Sequence, residues 1–134
     1  MADRNRELAL RWMEEIWNQR KAEVVDELMH EEAVGHMEGG DARGPAGFKV
    51  VHSAMLQAIP DLRIEVEDSV AEGDAVVLRW RVGGTHRGEG LGIPPSGRTV
   101  DAHGMSWFRI RDGRMVEGWD SWNIDGFMAA LARP

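Results

Sequence analysis

Residues 44–66, GPAGFKVVHSAMLQAIPDLRIEV, carry the change of period on which the fold of this chain turns. Pro45 suits the first turn of a helix, where its missing N–H is no loss. Phe48, Val51, His52, Met55, Leu56 and Ile59 then recur at intervals of three and four, which is one face of a helix. Pro60 and Asp61 end it. From there Leu62, Ile64 and Val66 alternate with charged residues, the period of two that marks a half-buried strand.

Upstream the pattern is helical. From Asp3 to Arg20 the apolar residues Leu8, Trp12, Met13, Ile16 and Trp17 share a face, and Val24, Val25, Leu28 and Met29 make the stripe of a second helix. Ala33 to Met37 reads as a short strand, and Gly39 to Gly44 as a loop. Downstream the pattern is sheet. Val76, Leu78, Trp80 and Val82 alternate after a Glu72-Gly73 turn. A plain two-residue loop there would pair Ala71 with Asp74 and send the two apolar rows to opposite faces, so a bulge at Gly73 is expected. Gly83 to Gly97 is a Gly- and Pro-rich loop or broken strand. Its glycines do not make a phosphate loop, because Pro94 and Pro95 stand where a helix N-terminus would have to follow. Arg98 to Arg111 forms a long strand, Asp112-Gly113 reverses it, a last strand follows, and Asp125 is expected to cap a closing helix from Gly126 to Ala132. Helices, then a curved antiparallel sheet that they cover on one face, define an α+β fold with a cavity between the layers.

Composition narrows the function. The 134 residues suffice for one domain, 1–134, burying roughly two-thirds of its unfolded surface. With no cysteine the chain offers no disulfide, thiol nucleophile or thiolate metal site, and His30 with Glu31 and Glu32 lacks the helical spacing of a zinc motif. A formal net charge of −7 argues against a nucleic-acid partner. No apolar run is long enough to span a membrane, and the charged start (Asp3, Arg4, Arg6, Glu7) is unlike a signal peptide. These features predict a soluble, cytoplasmic protein with no membrane partner and a small apolar or aromatic ligand. Six Trp and eight Met without a Tyr suit a pocket as well as a core.

One acidic residue stands out on the last strand. In GRMVEGWDSWN, residues 113–123, Asp120 lies between Trp119 and Ser121 with Trp122 one step on. A carboxylate held against aromatic surface loses hydration, which raises its pKa toward the range of general acid/base work; at a solvated strand end it would simply face water. Two hairpin registers are open. A two-residue Asp112-Gly113 loop pairs Arg111 with Arg114 and sets Asp120 opposite Met105, near His103 and on a face with Asp101 and Trp107. A bulge at Gly113 pairs Ile110 with Arg114 and sets Asp120 opposite Gly104, on a face with Ala102, Ser106 and Phe108. The second is preferred, because the small residues leave room for a ligand.

The order of elements, the segments Gly84-Thr85-His86-Arg87-Gly88 and Gly92-Ile93-Pro94-Pro95-Ser96-Gly97-Arg98, the Asp112-Gly113 turn and the Trp119-Asp120 strand resemble the SnoaL-like polyketide (ester) cyclase family of the NTF2-like superfamily. The resemblance covers nearly the whole chain. It implies an NTF2-like conical barrel, a curved antiparallel sheet wrapped around helices with a deep apolar pocket, no cofactor, and a homo-oligomer, dimer or tetramer. It also implies that Asp120 is the general acid/base of an intramolecular aldol condensation on an aromatic polyketide ester. The family's polar partners on the preceding strand, a Gln and a His, fall here at Gly104 and Ser106.

His36 and His52 are the other candidate catalytic groups, His52 from the apolar stripe of its helix and His36 from the end of the first strand. A lone histidine on an apolar face is more often a hydrogen-bonded core residue. Ser106, His86, Trp80, Trp122, Met55 and Phe127 are the candidate ligand-pocket residues, core packing being the alternative for the apolar ones. Besides a cyclase, the scaffold allows an isomerase, which would lack the usual Tyr; an epoxide hydrolase, whose Asp-Arg-Asp set (Asp101, Arg109, Asp120) needs the unbulged register; and a non-catalytic binder of an apolar metabolite.

Overall fold

The computed structural model describes residues 2–132. Strands β1 (Met29–Met37), β2 (Gly40–Arg43), β3 (Arg63–Glu72), β4 (Ala75–Thr85), β5 (Thr99–Arg111) and β6 (Arg114–Trp122) form a single curved, unclosed sheet in the order β2-β1-β6-β5-β4-β3. Helices α1 (Ala2–Arg11), α2 (Glu23–Leu28), α3 (Gly44–Ala58) and α4 (Ile124–Ala132) complete the α+β fold. No helix among the described residues is long and apolar enough to cross a membrane.

The sheet is not wholly antiparallel as expected: β1 runs parallel to β6, with Gly35 beside Gly118 and His36 beside Trp119. A strand that reaches its neighbour through most of the chain, rather than through a hairpin, is free of the antiparallel constraint. β1 also begins at Met29, a residue the helical stripe had claimed, and Gly40–Arg43, expected to be loop, pairs with β1 as an edge strand. Four residues without apolar alternation carry no strand signal of their own. Their partner supplies it.

The first helix changes character half-way. After Arg11 the chain widens into a π-helical segment, Trp12–Asn18, and the Gln19 N–H reaches the Glu14 carbonyl, 2.9 Å away and five residues back. Trp12, Met13, Ile16 and Trp17 are all buried. At the end of this segment the Asn18 amide behaves like a strand of one residue: Nδ2 donates to the Ile64 carbonyl (2.8 Å), and Oδ1 accepts the Ile64 N–H (2.7 Å). Arg20 adds bonds to the carbonyls of Pro60 (2.6 Å) and Leu62 (2.9 Å), so the helical layer is tied to the free edge of β3.

Both hairpins reach the expected faces by a different route. In β3–β4 the loop is Gly73–Asp74, with Glu72 opposite Ala75, and the register shifts at Glu67, not at Gly73; Ile64 then faces Val82, and Val66 faces Trp80. In β5–β6 the plain Asp112-Gly113 loop does pair Arg111 with Arg114, but an irregularity at Val116 moves the register, so that Ser106, and not Gly104 or Met105, faces Asp120. A one-residue shift swaps faces wherever along the strand it occurs. The apolar pattern therefore reveals that a bulge exists but not its position.

Gly83 and Gly84 extend β4, and the loop beyond packs on the end of α3, where the Gly88 N–H bonds the Ala58 carbonyl at 3.1 Å. A Cβ at Gly88 would run into the Gln57 carbonyl, so close docking on the helix accounts for this glycine. The cap of α4 is Asn123, not Asp125: its Oδ1 accepts the Gly126 N–H at 2.9 Å.

Candidate active site

The inward rows of β5 and β6 carry Gly104, Ser106 and Phe108 beside Gly118, Asp120 and Trp122. With the π-helical segment, α3 and α4 they enclose a cavity of about 100 Å³. Trp12, Met13 and Trp17 line it from the helical side, Phe48 and Met55 from α3, Trp80 from β4, and Phe127 from α4. Trp122 stands edge-on to both Trp80 and Phe127, at ring-centre distances of 6.1 and 5.1 Å, and makes one wall aromatic. The volume far exceeds the ~15 Å³ that one water needs, and falls short of the roughly 300 Å³ typical of a drug-sized site.

Asp120 supplies the carboxylate of this apolar space. Its Oδ1 accepts the Ser106 hydroxyl at 2.6 Å, and Ser106 Oγ in turn accepts the Trp80 indole N–H at 2.9 Å. The residue keeps some accessible surface because it lines a hollow instead of filling it, yet protein surrounds its carboxyl group. Loss of hydration pushes the Asp120 pKa above the usual carboxylate range; the Ser106 hydrogen bond opposes the shift, and the negative charge of Glu38 in the β1–β2 turn adds to it. A carboxyl group of this kind exchanges protons near neutral pH more readily than an exposed one.

Of the expected pocket residues, Ser106, Trp80, Trp122, Met55 and Phe127 line the cavity together with Asp120. The candidate histidines are each engaged by other partners. His36 borders the hollow, but Nδ1 is bonded to Asp41 (3.1 Å) and Nε2 to Glu117 (2.7 Å), and the ring stacks on the exposed Trp119 at 5.4 Å. Those two carboxylates hold its pKa above the ordinary histidine value. His52 is buried, donates Nε2–H to the Ile16 carbonyl at 2.7 Å, and packs against Trp17 and Phe48; burial lowers its pKa and keeps the ring neutral. It satisfies a carbonyl of the π-helical segment, away from Asp120. His86 is also buried outside the cavity, where Nδ1 accepts the Ser96 N–H at 3.2 Å and its backbone bonds Gly97 and Arg98, closing the loop after β4. Asp101 and Arg109 lie on the outer face with Asp74 and Arg81 as partners (Arg81 to Asp101, 3.1 Å; Arg109 to Asp74, 2.9 Å), so the Asp-Arg-Asp set is not assembled.

Trp12, Met13 and Trp17, which the sequence places on the apolar face of the first helix, also line the cavity. The widening of that helix had no signal, since apolar pairs at 12/13 and 16/17 repeat every four residues as in an ordinary α-helix. The Trp80–Ser106 bond had no signal until strand pairing set Trp80 beside Gly104 and Leu78 beside Ser106.

A model of the SnoaL-like polyketide cyclase family matches residues 7–131. The chain belongs to that family. Among solved structures, a candidate SnoaL-like polyketide cyclase from Jannaschia sp. CCS1 superimposes with a TM-score of 0.91 at 27% identity, over 99% of this chain and 94% of the other. IdmH, a candidate polyketide cyclase from Streptomyces antibioticus, is 31% identical over 96% of this chain and 99% of its own, with a TM-score of 0.82. AclR from Streptomyces galilaeus, a candidate hydroxylase, is 30% identical over 98% of this chain and 82% of its own, with a TM-score of 0.85. No curated protein matches. The SnoaL-like fold is thus shared by proteins to which different reactions are ascribed, and the reaction has to be argued from the site.

Proposed function

We propose that this SnoaL-like protein is a cofactor-independent acid/base enzyme of the cyclase type, with Asp120 as the proton-transferring group. The observation that carries the reading is a desolvated carboxyl group, its pKa raised, at the wall of an apolar cavity. Asp120 takes a proton alpha to a carbonyl of an aromatic polyketide ester; the enolate carbon attacks a second carbonyl of the same molecule; the protonated Asp120 then returns its proton to the alkoxide. One carboxyl group serves both transfers and no net proton is consumed. A neutral ester fits better than a free acid, because the chain carries a net charge of −7 and Glu38 adds negative charge near the site. The cavity takes the reacting edge of the substrate, and the remainder occupies its mouth.

Asp120→Asn keeps the shape and the Ser106 hydrogen bond but cannot accept the proton. It should lower turnover of an aromatic polyketide ester roughly 10²- to 10⁴-fold with little change in binding. Equal loss of binding and turnover would favour the second reading, a non-catalytic pocket for an apolar metabolite in which Asp120 only hydrogen-bonds the ligand. That reading draws on the engagement of Ser106 and Trp80 within the protein, which leaves few donors for an enolate.

Two copies are proposed to associate through the outer face of the sheet. Trp107 and Trp119 pair across β5 and β6 there and remain 46% and 37% exposed, with Met105 beside them at 52%. A two-fold axis at the tryptophans buries this apolar patch against its own copy.

A further inference from the structure

We propose that Trp80 is a positioning residue for Asp120: by donating its indole N–H to Ser106 Oγ it commits the serine hydrogen to Oδ1 and leaves Oδ2 as the oxygen that takes and returns the substrate proton. The proposal rests on the acid/base reading above and specifies which atom performs it.

The direction of both hydrogen bonds is set by chemistry. An indole N–H only donates and an ionised carboxylate only accepts, so the chain must run from Trp80 Nε1 to Ser106 Oγ (2.9 Å) and from Ser106 Oγ to Asp120 Oδ1 (2.6 Å). Trp80 and Ser106 are 6% and 3% exposed, so little of either is open to a competing water. When Asp120 picks up a proton, placing it on Oδ1 would aim it at the serine hydrogen, and that hydrogen would lose its acceptor against an apolar wall. A proton on Oδ2 conflicts with nothing. The carboxyl group is therefore made asymmetric before any substrate arrives: one oxygen is anchored and the other is reactive.

Gly104 makes the device possible. A Cβ at this position would lie 2.6 Å from two ring carbons of Trp80 and 2.8 Å from the Trp122 Cβ, so only glycine lets the indole lie across β5 and reach Ser106. The strand that faces Asp120 offers a bare glycine and a short serine, and the neighbouring strand fills the vacated space with a tryptophan that also brings an N–H.

The test needs no substrate. Protein labelled with ¹⁵N in its tryptophan indoles and ¹³C in its aspartate carboxyl groups is titrated by NMR, as wild type, Ser106→Ala and Trp80→Phe. In the wild type the Trp80 indole resonance should move with the midpoint of the Asp120 carboxyl carbon, because Ser106 transmits the change of charge. Ser106→Ala should abolish that movement. Trp80→Phe keeps an aromatic ring but removes the N–H and so weakens the serine as a donor, and should raise the Asp120 midpoint by roughly half a pH unit. An indole resonance that stays flat through the Asp120 midpoint overturns the proposal, and so does an unmoved midpoint in a folded Trp80→Phe; if that variant does not fold, the wild type and Ser106→Ala decide. An ordinary carboxylate midpoint in the wild type would instead sink the acid/base reading, so the two failures are distinct.

Discussion

Asp120 is held where its charge is unwelcome, and this has a consequence for stability that is independent of any ligand. Burial places its folded-state pKa above that of the unfolded chain. The folded protein then binds this proton more tightly than the unfolded one, so the stabilisation is fully present below the unfolded value near ~4 and is lost as pH rises through the folded pKa. Asp120→Asn removes the ionisation and keeps an acceptor for Ser106. Its Tm should exceed that of the wild type at pH 8, with the gap narrowing on acidification and closing near pH ~4, because comparing the two proteins cancels every other titrating group. A gap that does not change with pH would mean that the carboxyl is not desolvated. At this scale the sequence singled out Asp120 as a candidate from its tryptophan neighbours. It could not show what engages His36 and His52, because a histidine's partner is set by folding: for His52 that partner is a carbonyl 36 residues away.

Among the elements, the junction between the π-helical segment and β3 depends most on a single side chain. Asn18→Ala leaves the Ile64 N–H and carbonyl at a sheet edge without their partners, both bonds being partly buried. We expect a loss of about 1–3 kcal/mol of stability in urea unfolding, and a Tm within error of the wild type would count against this account of the junction. Ile64, Leu62 and Trp17 all line the cavity, so the same bonds help to hold its wall in shape. Elements with a strong period were legible: α3, β4 and β5 lie within a few residues of their expected limits. What the pattern missed has a common cause. The widening after Arg11, the edge strand β2, and the bulges at Glu67 and Val116 each depend on what the backbone packs or pairs against, which a residue's neighbours in sequence do not specify.

For the whole molecule, the outer face of the sheet is the surface proposed to join two copies. If it joins two copies, sedimentation velocity should find a dimer that Trp107→Glu converts to monomer while far-ultraviolet circular dichroism stays unchanged; a wild-type monomer across the working concentration range would dismiss that interface. The family assignment, the α+β architecture and the acidic residue between tryptophans were properties of the sequence alone, because periodicity, turn residues and local composition act over a few residues. The face that Asp120 shares with Ser106, the tryptophan that reaches across Gly104 to hold that serine, and the aromatic hollow around them were decided only in the tertiary structure. A strand's register depends on the sum of its bulges, and a carboxylate's hydration depends on what every other element leaves open around it.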